Sequence, residues 1–234
     1  MATKLTLNPS WPVFELCNSK ICIDIGANNG GMTQLMLDSG AVKVYAIEAG
    51  KINCNLVRDK FKNNENVILF ETAVSDEKGT LKNVTWLNAW VIGNPDEINL
   101  PISPGACDVE GYARVDIEMD TVDNIFSSIS DDIGFIKIDV DGYDFKVLKG
   151  SINLINRCRP VIFIELSYYY DIIPGSSVTE FLKFVTSINY EFISLDGKVC
   201  STEYILQEFP FHSSCDVFLC PVEKMTLFSD RIVK

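Results

Sequence analysis

Three short segments carry residues whose types and spacing could do chemistry. The first reads Asp24-Ile25-Gly26-Ala27-Asn28-Asn29-Gly30, directly after an apolar run and before a helix-like segment. Gly26 and Gly30 stand where a strand-to-helix turn must bend tightly and let a ligand approach the backbone. A dinucleotide fingerprint needs three glycines spaced as G-x-G-x-x-G. Position 24 is instead Asp and position 29 is Asn, which argues against a nicotinamide-dependent oxidoreductase. A carboxylate at the strand end suits a cationic amine or a water network better than a pyrophosphate.

The second segment, Val44-Tyr45-Ala46-Ile47-Glu48, ends in an acid. It lies about 20 residues after the glycine loop, where such a side chain can accept both hydroxyls of a ribose. Loop and acid together specify an adenosine-type ligand, and S-adenosylmethionine (SAM) is one that carries an amine and no phosphate.

The third segment is Ile136-Lys137-Ile138-Asp139-Val140-Asp141-Gly142-Tyr143-Asp144, a strand that ends in alternating acids and opens a helix. At the carboxyl edge of a doubly wound sheet, Asp139 is expected to face the ligand cleft. Asp141 either joins it there or caps the following helix by accepting a backbone N–H. Asp139, Asp141 and Glu165 also admit a reading as oxygen ligands of a divalent cation. No fourth ligand is evident, and no metal is assigned.

Other conspicuous residues have plainer readings. His212, the single histidine, has the pKa of a general base, but the polar stretch 209–214 reads as a surface loop. Trp86 and Trp90 could wall a substrate pocket, although aromatic residues so spaced more often pack a loop onto a core. Cys22, Cys215 and Cys220 lie in or beside strand-like runs, where a thiol acts as a small hydrophobe.

The elements that must position these residues alternate along the chain. Nearly continuous apolar runs at 21–25, 42–47, 67–70, 133–138 and 161–166 predict parallel strands covered on both faces. Between them, 32–38, 51–62, 143–155 and 178–187 repeat apolar residues at helical intervals. The tail, with strand-like runs at 191–195 and 216–220, predicts an antiparallel hairpin. Residues 80–117 hold two tryptophans with Gly and Pro and only weak periodicity, so irregular structure on the substrate side is expected. The sum is one α/β domain over 1–234, Rossmann-like, with a mostly parallel doubly wound sheet and an N-terminal extension over 1–19.

Composition narrows the function classes. The formal charge of −12, from 32 acidic and 20 basic residues, repels a phosphate backbone, so nucleic acid is not an expected partner. The first twenty residues lack the charged start and apolar stretch of a signal peptide, and no run is long enough to span a bilayer. Eight cysteines without close pairs fit reduced thiols. A soluble cytoplasmic protein with no membrane association is expected. Nothing in the sequence specifies an oligomeric state.

The three segments, in this order and spacing, resemble the FkbM family of SAM-dependent methyltransferases. The resemblance spans roughly residues 20 to 222 and extends to Thr72-Ala73-Val74-Ser75-Asp76, Asp120-Thr121-Val122-Asp123, IKIDVDGYDFKVLKG ending at Gly150, and RPVIFIELS ending at Ser167. The chain departs from the family pattern at Asp141, Tyr143 and Asp144, where Glu, a small residue and Glu are usual, and 86–111 has no counterpart. The resemblance implies SAM as cofactor, held by Asp24, Gly26, Ala27, Asn28, Gly30, Glu48, Ala49, Thr72, Ala73 and Asp139. It implies O-methylation of a small-molecule or glycan acceptor, with Asp139 as base or acceptor-orienting group and Asp141 second. A noncatalytic SAM-binding module is the alternative that an intact cofactor site does not exclude.

Overall fold

The computed structural model describes residues 13–87, 90–92, 112–171, 173, 175–208 and 214–231. The five apolar runs become parallel strands: β1 (Ile21–Ile25), β2 (Lys43–Glu48), β3 (Val67–Glu71), β8 (Ile133–Ile138) and β9 (Val161–Ser167). With β10 (Tyr190–Ile193), β11 (Val199–Cys200) and β12 (Ser214–Pro221) they form an eight-stranded sheet of order β11-β10-β12-β9-β8-β1-β2-β3. β1 lies between β2 and β8, so the chain winds outward on one side of β1 and returns on the other. This is the switch point that opens a crevice at the carboxyl edge.

Both faces are covered. Cys22, Val44 and Phe135 pack with Leu16 of α1 (Val13–Cys17) and Met36 of α2 (Gly31–Asp38). Ala46 packs with Val57 and Phe61 of α3 (Lys51–Phe61). On the opposite face Ile23, Ile25, Ile47 and Ile138 meet Val122 of α4 (Val122–Ile125). The same cluster takes in Val147 of α5 (Asp144–Lys149), Ile155 of α6 (Ile152–Cys158) and Phe181 of α7 (Val178–Ser187). Residues alternating along a strand thus reach opposite layers, which is why these runs are apolar throughout.

Two expectations need correction, and a third holds with additions. The helix expected over 143–155 is two helices, α5 and α6, parted at Gly150 and Ser151. Gly150 is the C-cap of α5, and the neighbouring loop packs against its backbone: a Cβ there would lie 2.0 Å from the Ser75 carbonyl oxygen. The tail strands β10 and β12 do pair antiparallel, from Tyr190 with Pro221 to Ile193 with Phe218. However, β11 and α8 (Thr202–Glu208) lie in their connection, and β12 also pairs with β9. The region 80–117 is not irregular where it is described. There β5 (Gly79–Leu87) pairs antiparallel with both β6 (Trp90–Ile92) and β7 (Tyr112–Asp120), and β4 (Ala73–Val74) joins β7 in a second, four-stranded sheet.

Among the described residues, no helix is long and apolar enough to cross a membrane. Seven described cysteines are free thiols. Cys22 and Cys220 are buried as expected, whereas Cys215, at the start of β12, is exposed.

Candidate active site

The glycine loop is locked between two strands. The N–H groups of Gly26 and Ala27 both donate to the Ile47 carbonyl at 3.0 Å, and the Asp139 N–H donates to Ile25 O at 3.2 Å. Gly26 has φ +75°, and a Cβ there would sit 1.9 Å from the Asp139 carbonyl oxygen. Glycine is therefore required first by the approach of β8, before any ligand enters. Gly30, at φ +73°, is the N-cap of α2, where a Cβ would meet the Phe61 ring at 2.7 Å. Asn28 also adopts a left-handed φ of 49°, which Asn tolerates better than most residues.

Glu48, at the end of β2, is buried and held at both oxygens. Oε2 accepts from the Asn28 N–H and Oε1 from the Gly50 N–H, each at 2.7 Å. The Asn53 side chain hydrogen-bonds the same carboxylate, and Glu48 lines the cleft. Burial raises its pKa, against the two amides, Asn53 and Lys137, which favour the charged form. The Asn28 amide thus ties the loop to the acid.

Beneath the loop lies a charge pair that the sequence reading passed over. Lys137, the penultimate residue of β8, is only 6% exposed at its side chain. Its Nζ donates to Gly26 O at 2.7 Å and Ile25 O at 3.2 Å, and stands 3.4 Å from Asp139 Oδ2 and 3.6 Å from Asp24 Oδ1. Burial opposes the ammonium, but Asp24 and Asp139 outweigh it and hold the pKa above the usual lysine value. Asp24 is fully buried, accepts from Thr33 Oγ1 at 2.6 Å, and does not line the cavity. Its counter-charge is Lys137. A lone lysine inside an otherwise apolar, doubly covered strand was the signal available for this pair.

The turn after β8 presents two acids and is braced by a third. Asp139 is 53% exposed at its side chain. Asp141 is half-buried and left-handed at φ +53°. Asp141 does not cap the helix: the N-cap position of α5 is Tyr143, with no side-chain cap bond. Asp144 instead braces the turn, its oxygens accepting from the Val140 N–H at 3.0 Å and the Gly142 N–H at 2.9 Å. Asp144 is fully buried, and burial pushes its pKa up to about 8.

These segments enclose a cavity of about 370 Å³ at the switch point. Gly26, Ala27, Asn28, Glu48 and Ala49 line one side, and Lys137, Asp139 and Asp141 line another. Thr72, Ala73 and Val74 close the third side with Leu81 and Ile117, which face each other across β5 and β7. The second sheet thus supplies an apolar wall. Of the residues expected at the site, Asp24 and Gly30 stand behind this lining and the others form it.

Beyond Asp139 the carboxyl edge stays acidic. Glu165 of β9 and Asp216 of β12 are register partners. Burial raises both, with Asp139 adding repulsion, and takes Asp216 to about 6. Among the described residues, no three His, Cys, Asp or Glu side chains come together as a metal site, so Asp139, Asp141 and Glu165 do not form one. His212 and the side chains of Trp86 and Trp90 lie outside the described residues.

With this geometry in hand, the chain can be set beside known proteins. The family model described as the methyltransferase FkbM domain matches residues 24–192. The crystal structure of methyltransferase FkbM from Methylobacillus flagellatus KT superposes with a TM-score of 0.51 and 16% identity, over 86% of this chain and 43% of that one. At that identity the likeness is one of fold. An rRNA methylase from Streptococcus thermophilus aligns over 90% of this chain and 92% of that one, with a TM-score of 0.48 and 12% identity. Over 53 residues the chain is 43% identical to hemolysin A of Brachyspira hyodysenteriae, which is 23% of this chain and 21% of that protein. The matched part thus covers less than half of the FkbM structure and about a fifth of the hemolysin.

Proposed function

The chain belongs to the methyltransferase FkbM family, and we propose that it transfers the methyl group of SAM to a hydroxyl on a small-molecule or glycan acceptor. The observation that carries this reading is Glu48. It is a buried carboxylate anchored by the Asn28 and Gly50 amides that lines a cavity at the switch point.

The residues present fit the cofactor. A volume of about 370 Å³ falls within the ~300–1,000 Å³ usual for small-molecule sites. Glu48 would accept from the ribose hydroxyls, Val74, Leu81 and Ile117 would cover a flat ring, and the acidic rim at Asp139 and Asp141 suits a cationic ligand. Bound SAM supplies an already activated methyl group. The protein is left to align the acceptor, exclude water and take up the proton that a hydroxyl releases. Asp139, on the cavity wall and open to the acceptor side, is assigned that proton or the orienting of the acceptor, with Asp141 second.

The test is incubation of the protein with methyl-labelled SAM and fractionated extracts of its source. Label in an alkali-stable ether, with S-adenosylhomocysteine released in equal amount, supports O-methylation. Label on nitrogen overturns the hydroxyl acceptor. SAM binding without S-adenosylhomocysteine in every fraction favours a binding module.

A further inference from the structure

A buried ammonium is costly unless its hydrogen bonds are supplied, and a parallel strand covered on both faces normally carries an apolar side chain at the place of Lys137. What Lys137 reaches explains its presence. Its nearest partner is the Gly26 carbonyl at 2.7 Å, and the next is Ile25 O at 3.2 Å. Both carbonyls belong to the end of β1 and its loop. Asp139 Oδ2 follows at 3.4 Å, and Asp24 is the most distant at 3.6 Å, with Oδ1 lacking any hydrogen bond. A lysine retained only as counter-ion to Asp24 would be expected to bond it most closely.

We propose that Lys137 is the positioning residue of this site: one buried ammonium fixes the loop carbonyls of Ile25 and Gly26 and holds Asp139 on the cavity wall. The proposal rests on the reading of the cavity as a SAM site. The side chain spans β8, β1 and the turn that carries Asp139, so it couples cofactor loop and acceptor-side acid through a single charge. It also displaces the simplest role of Asp24. The carboxylate expected to meet a ligand amine is matched from within the protein, which leaves Asp24 to hold Lys137 and, through Thr33, the start of α2.

Removing Lys137 alone strands a buried carboxylate and would weaken any protein, so the test is a comparison of full-length variants. Lys137→Met, Asp24→Asn and the double variant Lys137→Met/Asp24→Asn are each followed by thermal unfolding and by calorimetric titration with SAM. The double variant removes both charges at nearly constant volume. It should recover most of the melting temperature lost in Lys137→Met, yet bind SAM at least about tenfold more weakly than Asp24→Asn, as expected for losing one or two charge-assisted hydrogen bonds that shape the loop. Equal SAM affinity in the double variant and Asp24→Asn would overturn the proposal and leave Lys137 a counter-ion. A double variant that stays unfolded would overturn it too, because Lys137 would then carry the fold rather than the site. Failure of the wild-type protein to bind SAM would instead reject the cofactor reading itself.

Discussion

The carbonyl oxygen of Asp139 occupies the space that a side chain on Gly26 would need: a Cβ built there lies 1.9 Å away. The glycine loop and the acid-bearing turn are therefore packed backbone to backbone, and each sets the position of the other. Gly26→Ala should destabilise the protein by about 2–5 kcal/mol, adding ~1–3 for overpacking to ~1–2 for a left-handed residue with a side chain. Urea unfolding measures this. A loss below about 1 kcal/mol would show that β1 and β8 separate easily at this edge.

Asp144 gives the fold a specific pH dependence. Its folded pKa, raised to about 8 by burial, lies above its value in the unfolded chain. Between the ordinary aspartate range and about pH 8 the folded protein holds a proton that the unfolded chain has released. The contribution is present below that window and is lost as pH rises through it. Asp144→Asn should remove this slope, so the stability of wild type relative to the variant should decline from about pH 4 to pH 8. Parallel curves over that interval would mean that Asp144 does not titrate as its burial requires.

Gly150→Ala tests a second backbone contact. The new methyl group would meet Ser75 O at 2.0 Å, and the Gly150 carbonyl also accepts from the Asp123 N–H. Loss on the order of 2 kcal/mol is expected from overpacking, read as a lowered urea midpoint. An unchanged midpoint would show that the loop at Ser75 yields freely.

Much of this arrangement was legible in the sequence. The five parallel strands announced themselves as apolar runs, and Glu48, Asp139 and Asp141 fell at strand ends where the switch point puts its ligands. The second sheet was also written in the chain. Residues 112–120, Tyr-Ala-Arg-Val-Asp-Ile-Glu-Met-Asp, alternate apolar and polar for eight positions after Tyr112, a strand period masked by the Gly and Pro residues upstream. The roles of Asp24, Lys137 and Asp144 were not legible, because strand position says that an acid is near an edge but not whether its carboxylate meets a ligand, a lysine or a pair of amides. Gly26 was read as the glycine of a tight turn open to a ligand; the structure shows the tight turn, at φ +75°, and adds that the backbone packed against it is that of Asp139.

Asp139→Asn separates catalysis from binding. It keeps shape and some hydrogen bonding but removes proton affinity, so single-turnover methyl transfer should fall by about 10² to 10⁴ while SAM affinity changes far less. Equal loss in both would make Asp139 a cofactor ligand and move the acid–base role to Asp141 or Glu165. Wild-type rates would leave it without either role.

The most direct measurement is calorimetric titration of SAM into the wild-type protein and into Glu48→Ala. One-site binding is expected for wild type. The variant should stay folded and bind more weakly by on the order of 2 kcal/mol, about thirtyfold, because charge-assisted hydrogen bonds to the ribose are lost. No binding by the folded wild-type protein, or the same affinity in both proteins, would contradict the assignment of this cavity to SAM.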